Sequence, residues 1–565
     1  MIAHKHMTKI VAAVMAVAVC LCLVATMCSG TLKEALGGSG VTMEYEKALF
    51  DTGQPLTVNI LMDESDWQEM LNNAAAEEYY TCDVEINGET FYRVGIRPKG
   101  NTSLSSIASD PTTDRYSFKL EFDQYVDGQT CYGLDKLVLN NNYADATGMK
   151  EALVYDMYQF LGADASLYNY AAIYVNGQYW GAYLALEAVE DSFLLRNYGT
   201  QSGELYKPEG VDGGRGGKNG GFADKEKNFI QSENTGRNIG ITPPSQLAPT
   251  QETGQMPEGF DPAQMEGMAP PDRQDFADSS DGGDSRTLPQ RPDGDQPPAG
   301  DRFGGQGGAL PELPENADPG QAGAPFSAAG GADLNYTDDE LDSYATIWDG
   351  EVTNTSETDH KRVITALKNI AEGTDLETYM DVDNLLKYMA VHAFSVNLDS
   401  LSGNMAHNYY LYESNGQLNL LPWDYNLAFG GFGGSADSVI NNDISDPFAG
   451  TDFFDTLLEN ETYRAQYETY LRQLSEEYVQ GGGLAAFFTR TRSQIDRLVQ
   501  DDPTAFYTYD QYDAAAQMLL EVVQLRAQSV TLQLDGSSEK VDASGIDLTV
   551  MGGMNNGGFG GKKPE

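Results

Sequence analysis

The amino-acid sequence predicts an α+β protein with two lobes, and three features of the 565-residue chain support this fold class. Strand and hairpin patterns alternate with helical patterns between residues 44 and 209. A Gly- and Pro-rich stretch interrupts these patterns from residue 210 to residue 333. Helical spacing of apolar residues dominates from residue 334 to residue 543. With 41% hydrophobic residues the chain can bury a large core.

The first lobe begins with a strand pattern, LTVNILM from Leu56, and a helical pattern that starts near Glu64. Two hairpins are predicted around the dipeptides Asn87-Gly88 and Asn176-Gly177, because Asn-Gly favours tight two-residue turns. Between them lie a strand, YSFKLEF, and a helix that should end at Gly162. These elements make up a predicted N-terminal lobe over residues 44–209.

The segment from 210 to 333 is predicted to be a disordered insert within the fold. Fifteen of the 23 prolines lie between residues 243 and 325, among Gly, Asp, Gln and Ser. Such a composition cannot bury enough apolar surface to fold. Helical patterns resume after it and form a predicted C-terminal lobe over 334–543, and residues 544–565 are predicted to be a flexible tail.

The net charge of −50 argues against nucleic acid and anionic membrane surfaces as partners, since both require a basic patch. It suits an exported protein that binds divalent cations. Residues 1–28 resemble a secretory signal, with Lys5 and Lys9 ahead of an apolar run that reaches Met27. An uncleaved anchor is the alternative, because the run is about long enough to span a bilayer. Residues 29–43 are predicted to be a tether, and membrane contact is expected only through this N-terminal segment.

The mature chain would contain two cysteines, Cys82 and Cys131, since the other three lie in or beside the signal. Outside the cytoplasm they could form a disulfide, or they could remain free thiols. The sequence leaves both alternatives open.

The richest stretch for chemistry runs from residue 391 to residue 434. A helical pattern leads into a polar loop that contains Asp399, and a hairpin turning at Asn415-Gly416 then delivers Asp424. Asp399 precedes Asn404 by five residues, which is the spacing between the catalytic Asp and the metal-binding Asn of a protein-kinase loop. Mg²⁺ prefers carboxylate and amide oxygens. A polar loop held together by its own amides is the ordinary alternative.

Several motifs, in order, resemble the CotH family of spore-coat-type atypical protein kinases. They are GIRPKGNTS, YSFKLEFD, LNNNYADATGMKEALVYDMYQFLG, VNGQYWGAYLALEAVEDSFL, ELYKPEG, NLDSLSGNMAHNYYLY and LPWDYNLAFGG. The resemblance spans about residues 58 to 434, with the insert inside it. It implies a two-lobed atypical kinase fold, ATP with Mg²⁺ or Mn²⁺, and a protein substrate that carries a Ser, Thr or Tyr hydroxyl.

The kinase interpretation assigns roles to the acids and amides of the polar loop. Asp399 would orient or deprotonate the hydroxyl, and Asp424 would hold the metal. Either Asn404 or Asn408 would be the second metal ligand, and the sequence does not decide between them. Asn426 stands where some relatives have an acid, which leaves a second metal contact open. His407 is expected to shape the loop by a hydrogen bond.

The same interpretation assigns cofactor-binding residues in the first lobe. The turn after the first hairpin would approach phosphate through Gly100, with positive charge from Arg97 and Lys99. Lys119 would pair with Glu151 and orient phosphates, in the kinase order of a Gly turn, a strand with Lys and a helix with Glu. A solvent-facing lysine and a helix-start acid are the ordinary alternatives.

The hinge that receives adenine would run from Glu187 to Val189. Lys207 would be a second phosphate contact, or simply a solvated charge.

Two other classes of function compete with an exported, surface-located kinase. The chain could be an adhesion or scaffold protein that keeps the fold without the chemistry, since ATP is scarce outside cells. It could also be a Ca²⁺-binding surface module, although it has no EF-hand-type loop. The presence of both Asp399 and Asp424 favours the kinase, because a purely structural loop has no need of both acids.

Overall fold

A computed structural model describes residues 40–208, 331–403, 405–448 and 450–554. The predicted signal, most of the tether and of the insert, and Asn404 lie outside these ranges. The chain divides into two compact units, residues 1–234 with 327–565 and residues 235–326, and every described residue belongs to the first. This part of the chain is a mixed α+β structure with a closed barrel, a small sheet and many helices. In the described ranges no helix has the length and apolar composition needed to cross a bilayer.

Seven strands form the closed barrel in the order β1-β2-β3-β4-β5-β7-β6. The parallel pair of β1 with β6 closes it, and the other neighbouring pairs are antiparallel. Alternate side chains point inward and build an apolar core. The strands are β1 Leu56–Leu61, β2 Tyr80–Ile86, β3 Glu89–Lys99, β4 Ser117–Glu121, β5 Lys136–Asn140, β6 Tyr168–Val175 and β7 Gln178–Glu187.

All three Asn-Gly hairpin turns occur where the sequence predicted them. Asn87 and Gly88 have φ of 52° and 89°, and the corresponding pairs at 176–177 and 415–416 are also left-handed at both positions. Two consecutive positive φ angles define the type I′ turn, whose twist matches that of the strands. The local sequence therefore determines these turns.

Five helices accompany the barrel. They are α1 Glu44–Ala48, α2 Glu64–Asn72, α3 Thr102–Ala108, α4 Lys150–Leu161 and α5 Asp191–Tyr198. Helix α4 ends at Gly162 with φ of 66°, as predicted. Helix α2 is shorter than its helical pattern, because a 3₁₀ turn over Ala74–Ala76 ends in left-handed Glu77 and the chain then enters β2.

Beside the barrel lie a three-stranded sheet, in the order β10-β9-β8, and a helical part. The strands are β8 Glu204–Tyr206, β9 Tyr409–Ser414 and β10 Gln417–Pro422. The helices are α6 Ala345–Trp348, α7 Glu357–Ala371, α8 Leu376–Tyr379, α9 Val382–Ser395, α10 Ala436–Ile440, α11 Asp455–Glu459, α12 Glu461–Arg472, α13 Gly483–Gln500 and α14 Tyr509–Leu534. A π-helical stretch, Gln473–Gln480, follows α12, and 3₁₀ turns occur at Leu341–Tyr344 and Leu548–Met551. Helix α4 shares one apolar core with this part of the protein.

The two sides of the predicted insert pack against the same strand. Strand β8, just before it, pairs with β9. Just after it, Ala332 is 8% exposed, and its carbonyl accepts a hydrogen bond from the Tyr409 hydroxyl of β9. Residues 331–333, which the sequence assigned to the insert, therefore belong to the fold.

Part of the predicted C-terminal tail belongs to the fold. Residues 544–554 were expected to be flexible, but Met551 is only 1% exposed and its carbonyl accepts a hydrogen bond from the Ala146 amide. The Met554 amide donates to the Gly431 carbonyl. A Cβ at Gly553 would lie 2.5 Å from that same carbonyl oxygen, so the close approach requires glycine. Hydropathy patterning missed this contact because it consists mainly of backbone groups.

Cys82 and Cys131 are free and buried inside the barrel, at 3% and 0% exposure. Burial raises the pKa of both thiols. Of the two alternatives left by the sequence, the structure shows unpaired, unreactive thiols.

Candidate active site

The polar loop and its hairpin contain several strained backbone positions. Helix α9 ends at Val396 with φ of 49°, and Ala406, Asn408, Asp424 and Phe429 also have positive φ. A positive φ is uncommon for any residue other than glycine, and is a genuine outlier for a β-branched one. Such strain persists only where the surrounding structure imposes it, and it clusters at functional sites.

Both oxygens of the Asp399 carboxylate have partners. His407 Nε2 lies 2.8 Å from Oδ1, and Asn408 donates from Nδ2 to Oδ2 at 3.2 Å. The same Asn408 nitrogen donates to the Asp399 carbonyl at 2.7 Å. The side chains of Asp399 and His407 are 14% and 15% exposed. The carboxylate is thus held in one orientation, and His407 makes the loop-shaping contact expected from the sequence.

Asp424 lies where the other charged groups converge. Burial raises its pKa, and Asp399 raises it further, whereas Lys99, Lys207 and His407 oppose that rise. The loop acid therefore lies close enough to the hairpin acid to raise its pKa. That both acids open on one cleft stays a prediction.

Two lysines approach the same aromatic ring beside Asp424. Lys99 Nζ lies 5.5 Å from the Trp423 ring centroid and Lys207 Nζ lies 5.9 Å from it. Lys207 Nζ is also 5.8 Å from the Tyr410 ring. Burial lowers the pKa of Lys99, while Asp424 counteracts that effect and Lys207 adds to it. Two neighbouring cations on one ring can bind an anion with several charged oxygens.

Asn140, at the end of β5, joins Lys99 to Glu151. Lys99 Nζ donates to its Oδ1 at 3.0 Å, and its Nδ2 donates to Glu151 Oε2 at 2.9 Å. Glu151 is 3% exposed; burial first and Asp424 second raise its pKa to about 8. Asn140 was not predicted as a site residue. It lies near the start of the motif LNNNYADATGMKEALVYDMYQFLG, directly after the apolar residues of the strand.

The predicted pair of Lys119 with Glu151 is wrong. Lys119 Nζ instead contacts Glu190 Oε1 at 2.7 Å, and Lys136 binds the same carboxylate. Lys119 does share a barrel face with Lys99, but the strand register places Lys99 opposite Ser117 and Lys119 opposite Arg97. Lys99 is therefore nearer the strand end where α4 begins, and it is the lysine connected to Glu151.

The remaining predicted cofactor residues have separate surroundings. Arg97 forms a buried ion pair with Glu77 at 2.7 Å, so the Glu77 carboxylate offsets its positive charge. Gly100 has φ of 128°, and a Cβ there would lie 2.7 Å from Ser103 Oγ, so this turn requires glycine.

The Glu187 side chain is fully buried and binds Arg196, the Tyr45 hydroxyl and the Leu167 amide. It holds the structure together. A hinge role could therefore use only the backbone from residue 187 to residue 189.

Asp424 is the candidate metal ligand whose surroundings fit best. Within the described residues no group of three or more His, Cys, Asp or Glu side chains could hold a metal. Mg²⁺ does not require one, because it commonly binds one or two carboxylates together with phosphates and water. Asn408 uses its amide nitrogen on Asp399, which leaves its carbonyl oxygen for a metal. Asn426 donates to the Tyr143 carbonyl at 2.9 Å, and Asn404 lies outside the described residues.

The model of the family described as CotH kinase protein matches residues 96–241 and 325–530. These two segments cover more than half of the chain. The chain belongs to the CotH kinase family. No curated protein matches it significantly. The matched segments of this CotH chain contain Lys99, Glu151, Asp399 and Asp424, and the gap between the segments falls within the predicted insert.

Proposed function

We propose that this protein is an exported kinase that transfers the γ-phosphoryl group of ATP to a Ser, Thr or Tyr hydroxyl of a secreted or surface protein. The observation that carries the proposal is that Lys99 and Lys207 both lie over the Trp423 ring, while Asp424, the next residue, interacts electrostatically with both lysines and with Asp399. Membership of the CotH kinase family supports ATP and a protein substrate. Export rests on the signal-like residues 1–28 alone.

In the proposed site, as in a two-lobed kinase, the barrel with α4 and the helical part supply different groups. The barrel would supply Lys99, held by Asn140, and α4 would supply Glu151. The helical part and its small sheet would supply both acids. A site between two such parts can bind a nucleotide on one side and an acceptor hydroxyl on the other.

Each residue would contribute by position and charge. Bound ATP supplies the phosphoryl group, and Mg²⁺ or Mn²⁺ neutralises charge on the phosphates. Asp424 would hold that cation, with the Asn408 carbonyl oxygen as a second possible ligand. Lys99 and Lys207 would bind phosphate oxygens. Asp399, fixed by His407 and Asn408, would accept a hydrogen bond from the substrate hydroxyl and point its oxygen at the phosphorus.

The two acids should have separable effects. Asp399→Asn should lower kcat by about 10² or more while metal–ATP binding persists, because a positioned base is lost. Asp424→Asn should abolish turnover and also weaken metal–ATP binding, because a metal ligand is lost. Phosphate transfer from labelled ATP and calorimetric ATP binding would measure both effects, with the exposed Asp127→Asn as a matched control.

One result would overturn the proposal. If wild type and both variants bind metal–ATP equally weakly and phosphorylate no acceptor, the protein is not a kinase. The adhesion or scaffold alternative would then be the better explanation of the fold.

A further inference from the structure

One buried histidine contacts both segments that carry the acids. His392 lies in α9 and is 2% exposed. Its Nε2 is 2.7 Å from Ser402 Oγ and 3.3 Å from Ser400 Oγ, in the loop that contains Asp399. Its Nδ1 is 3.4 Å from the hydroxyl of Tyr425, the residue after Asp424. The imidazole therefore lies between the Asp399 loop and the Asp424 turn.

The tautomer of His392 can be assigned from its hydrogen-bond partners. The hydroxyls of Ser400 and Ser402 donate to the Asn397 carbonyl at 2.8 and 3.1 Å, so their oxygens accept from His392 Nε2–H. Nδ1 is then the acceptor for the Tyr425 hydroxyl, whose oxygen is 2.7 Å from that of Tyr158. A neutral imidazole offers one donor and one acceptor, which is what this chain of hydrogen bonds needs.

The environment keeps the ring neutral and fixed. Burial lowers the pKa of His392 to about 3. The ring stacks on Phe448 at 4.5 Å between centroids and lies parallel to Tyr388 at 5.9 Å. The packing thus keeps the ring in the orientation in which one nitrogen faces the Asp399 loop and the other faces Tyr425.

We propose that His392 is a positioning residue that fixes Asp399 and Asp424 relative to each other. Asn397 makes a second, longer connection, since its Oδ1 accepts from the Asp399 amide at 3.3 Å and its Nδ2 approaches the Asp424 carbonyl at 3.5 Å. The bridge itself is a structural claim. Its effect on turnover rests on the proposed kinase function.

Amide hydrogen exchange tests the bridge without any assay of activity. His392→Leu should raise exchange in residues 396–403 and in residues 423–430, because the hydrogen bonds of the imidazole to both segments are lost. Ser402→Ala should raise it mainly in the first segment and Tyr425→Phe mainly in the second. His392→Gln, which keeps a donor and an acceptor, should stay near wild type. Raised exchange in only one segment of His392→Leu, or in neither, would overturn the inference.

A second pair of variants decides the matter if His392→Leu does not fold. His392→Asn keeps the same donor and acceptor as Gln, but its side chain is one methylene shorter. It should therefore raise exchange in both segments, whereas His392→Gln should not. Wild-type exchange in both variants would contradict the bridge.

Kinetics tests its consequence. His392→Leu should lower kcat by about 10²-fold, as a misplaced reacting group does, while KM for ATP changes less than about twofold. His392→Gln should restore most of kcat. Wild type without any phosphate transfer would reject the kinase proposal and leave the exchange test in force. An active wild type with unchanged kcat in His392→Leu would reject the positioning role.

Discussion

Charge at single residues decides what the site could bind. Lys99 and Lys119 lie on the same face of the barrel, yet only Lys99 is connected to Glu151 and Asp424. Lys119 is neutralised by Glu190. The two lysines are therefore a matched pair for testing which one contacts phosphate.

Lys99→Met should weaken ATP binding or lower kcat by about 10-fold to 10²-fold, the cost of one charge-assisted hydrogen bond. Lys119→Met should leave both constants within about twofold. Calorimetric binding of ATP with Mg²⁺ would measure the difference. Loss of nucleotide binding in Lys119→Met alone would show that the phosphate contact has been assigned to the wrong lysine.

The buried His392 should also affect stability in acid. The unfolded chain takes up a proton on this residue below pH 6.5, whereas in the folded chain its pKa is about 3. The contribution of His392 to the free energy of unfolding is therefore complete above pH 6.5, and it is lost as the pH falls from 6.5 towards 3. Between pH 7 and pH 5 the loss should be about 2 kcal/mol.

Urea unfolding of wild type and His392→Gln at these two pH values would measure that loss. Other titrating groups are shared by the two proteins, so the difference between their pH slopes isolates His392. Equal slopes would mean that the imidazole is not buried in its neutral form.

Among the secondary-structure elements, helix α14 stabilises the C-terminal end of helix α9. Arg526 of α14 is fully buried and donates to four carbonyls. Two of them, Ala393 and Phe394, belong to the last turn of α9, and the others are Ile440 and Asn442. Burial lowers the pKa of Arg526 to about 10, so it remains a cation at neutral pH. A cation at a helix C-terminus satisfies free carbonyls and complements the helix dipole.

Arg526→Met should therefore destabilise the protein by about 3 kcal/mol or more, since it leaves buried carbonyls without donors. Arg526→Lys should recover part of the loss, because an ammonium keeps the charge but cannot reach all four oxygens. Urea unfolding would give both values. A loss below about 1 kcal/mol in Arg526→Met would show that water replaces the guanidinium.

A buried ion pair connects the barrel to the helical part in the molecule as a whole. Arg115 contacts Asp502 at 2.8 Å, with side chains 4% and 2% exposed. It also donates to the carbonyl of Ala182 in β7 and to that of Asn141, just after β5. The two flanks of the predicted insert both contact strand β9. Because both flanks contact one strand, we expect the fold to tolerate replacement of the residues between them.

Two deletions should therefore behave differently. Replacing residues 210–330 by a Gly/Ser linker should leave melting temperature and turnover nearly unchanged. Ending the chain at Gly545 should cost about 2 kcal/mol, because the buried Met551 side chain is lost. Calorimetry and urea unfolding would test both. A large loss of stability in the first deletion would show that the insert contains a structural element.

The sequence alone determined those features whose causes are local. Neighbouring residues determine the Asn-Gly turns, the end of α4 at Gly162 and the helical pattern of α9. The motifs, in their order along the chain, were enough to identify the family. Spacing also singled out Asp399 and Asp424 as candidate site residues, and their roles stay predictions. For these residues a short stretch of chain contains all the information that the backbone needs.

The tertiary structure decided which distant side chains meet. Periodicity indicates the face of a strand but not its register or the group opposite it, so Lys119 and Lys99 could not be distinguished as partners of Glu151. The contacts of Asn140 with Lys99, of His392 with Tyr425 and of the Gly553 backbone with Gly431 join segments far apart in the chain. Such contacts depend on the packing of the whole fold, which no local pattern specifies.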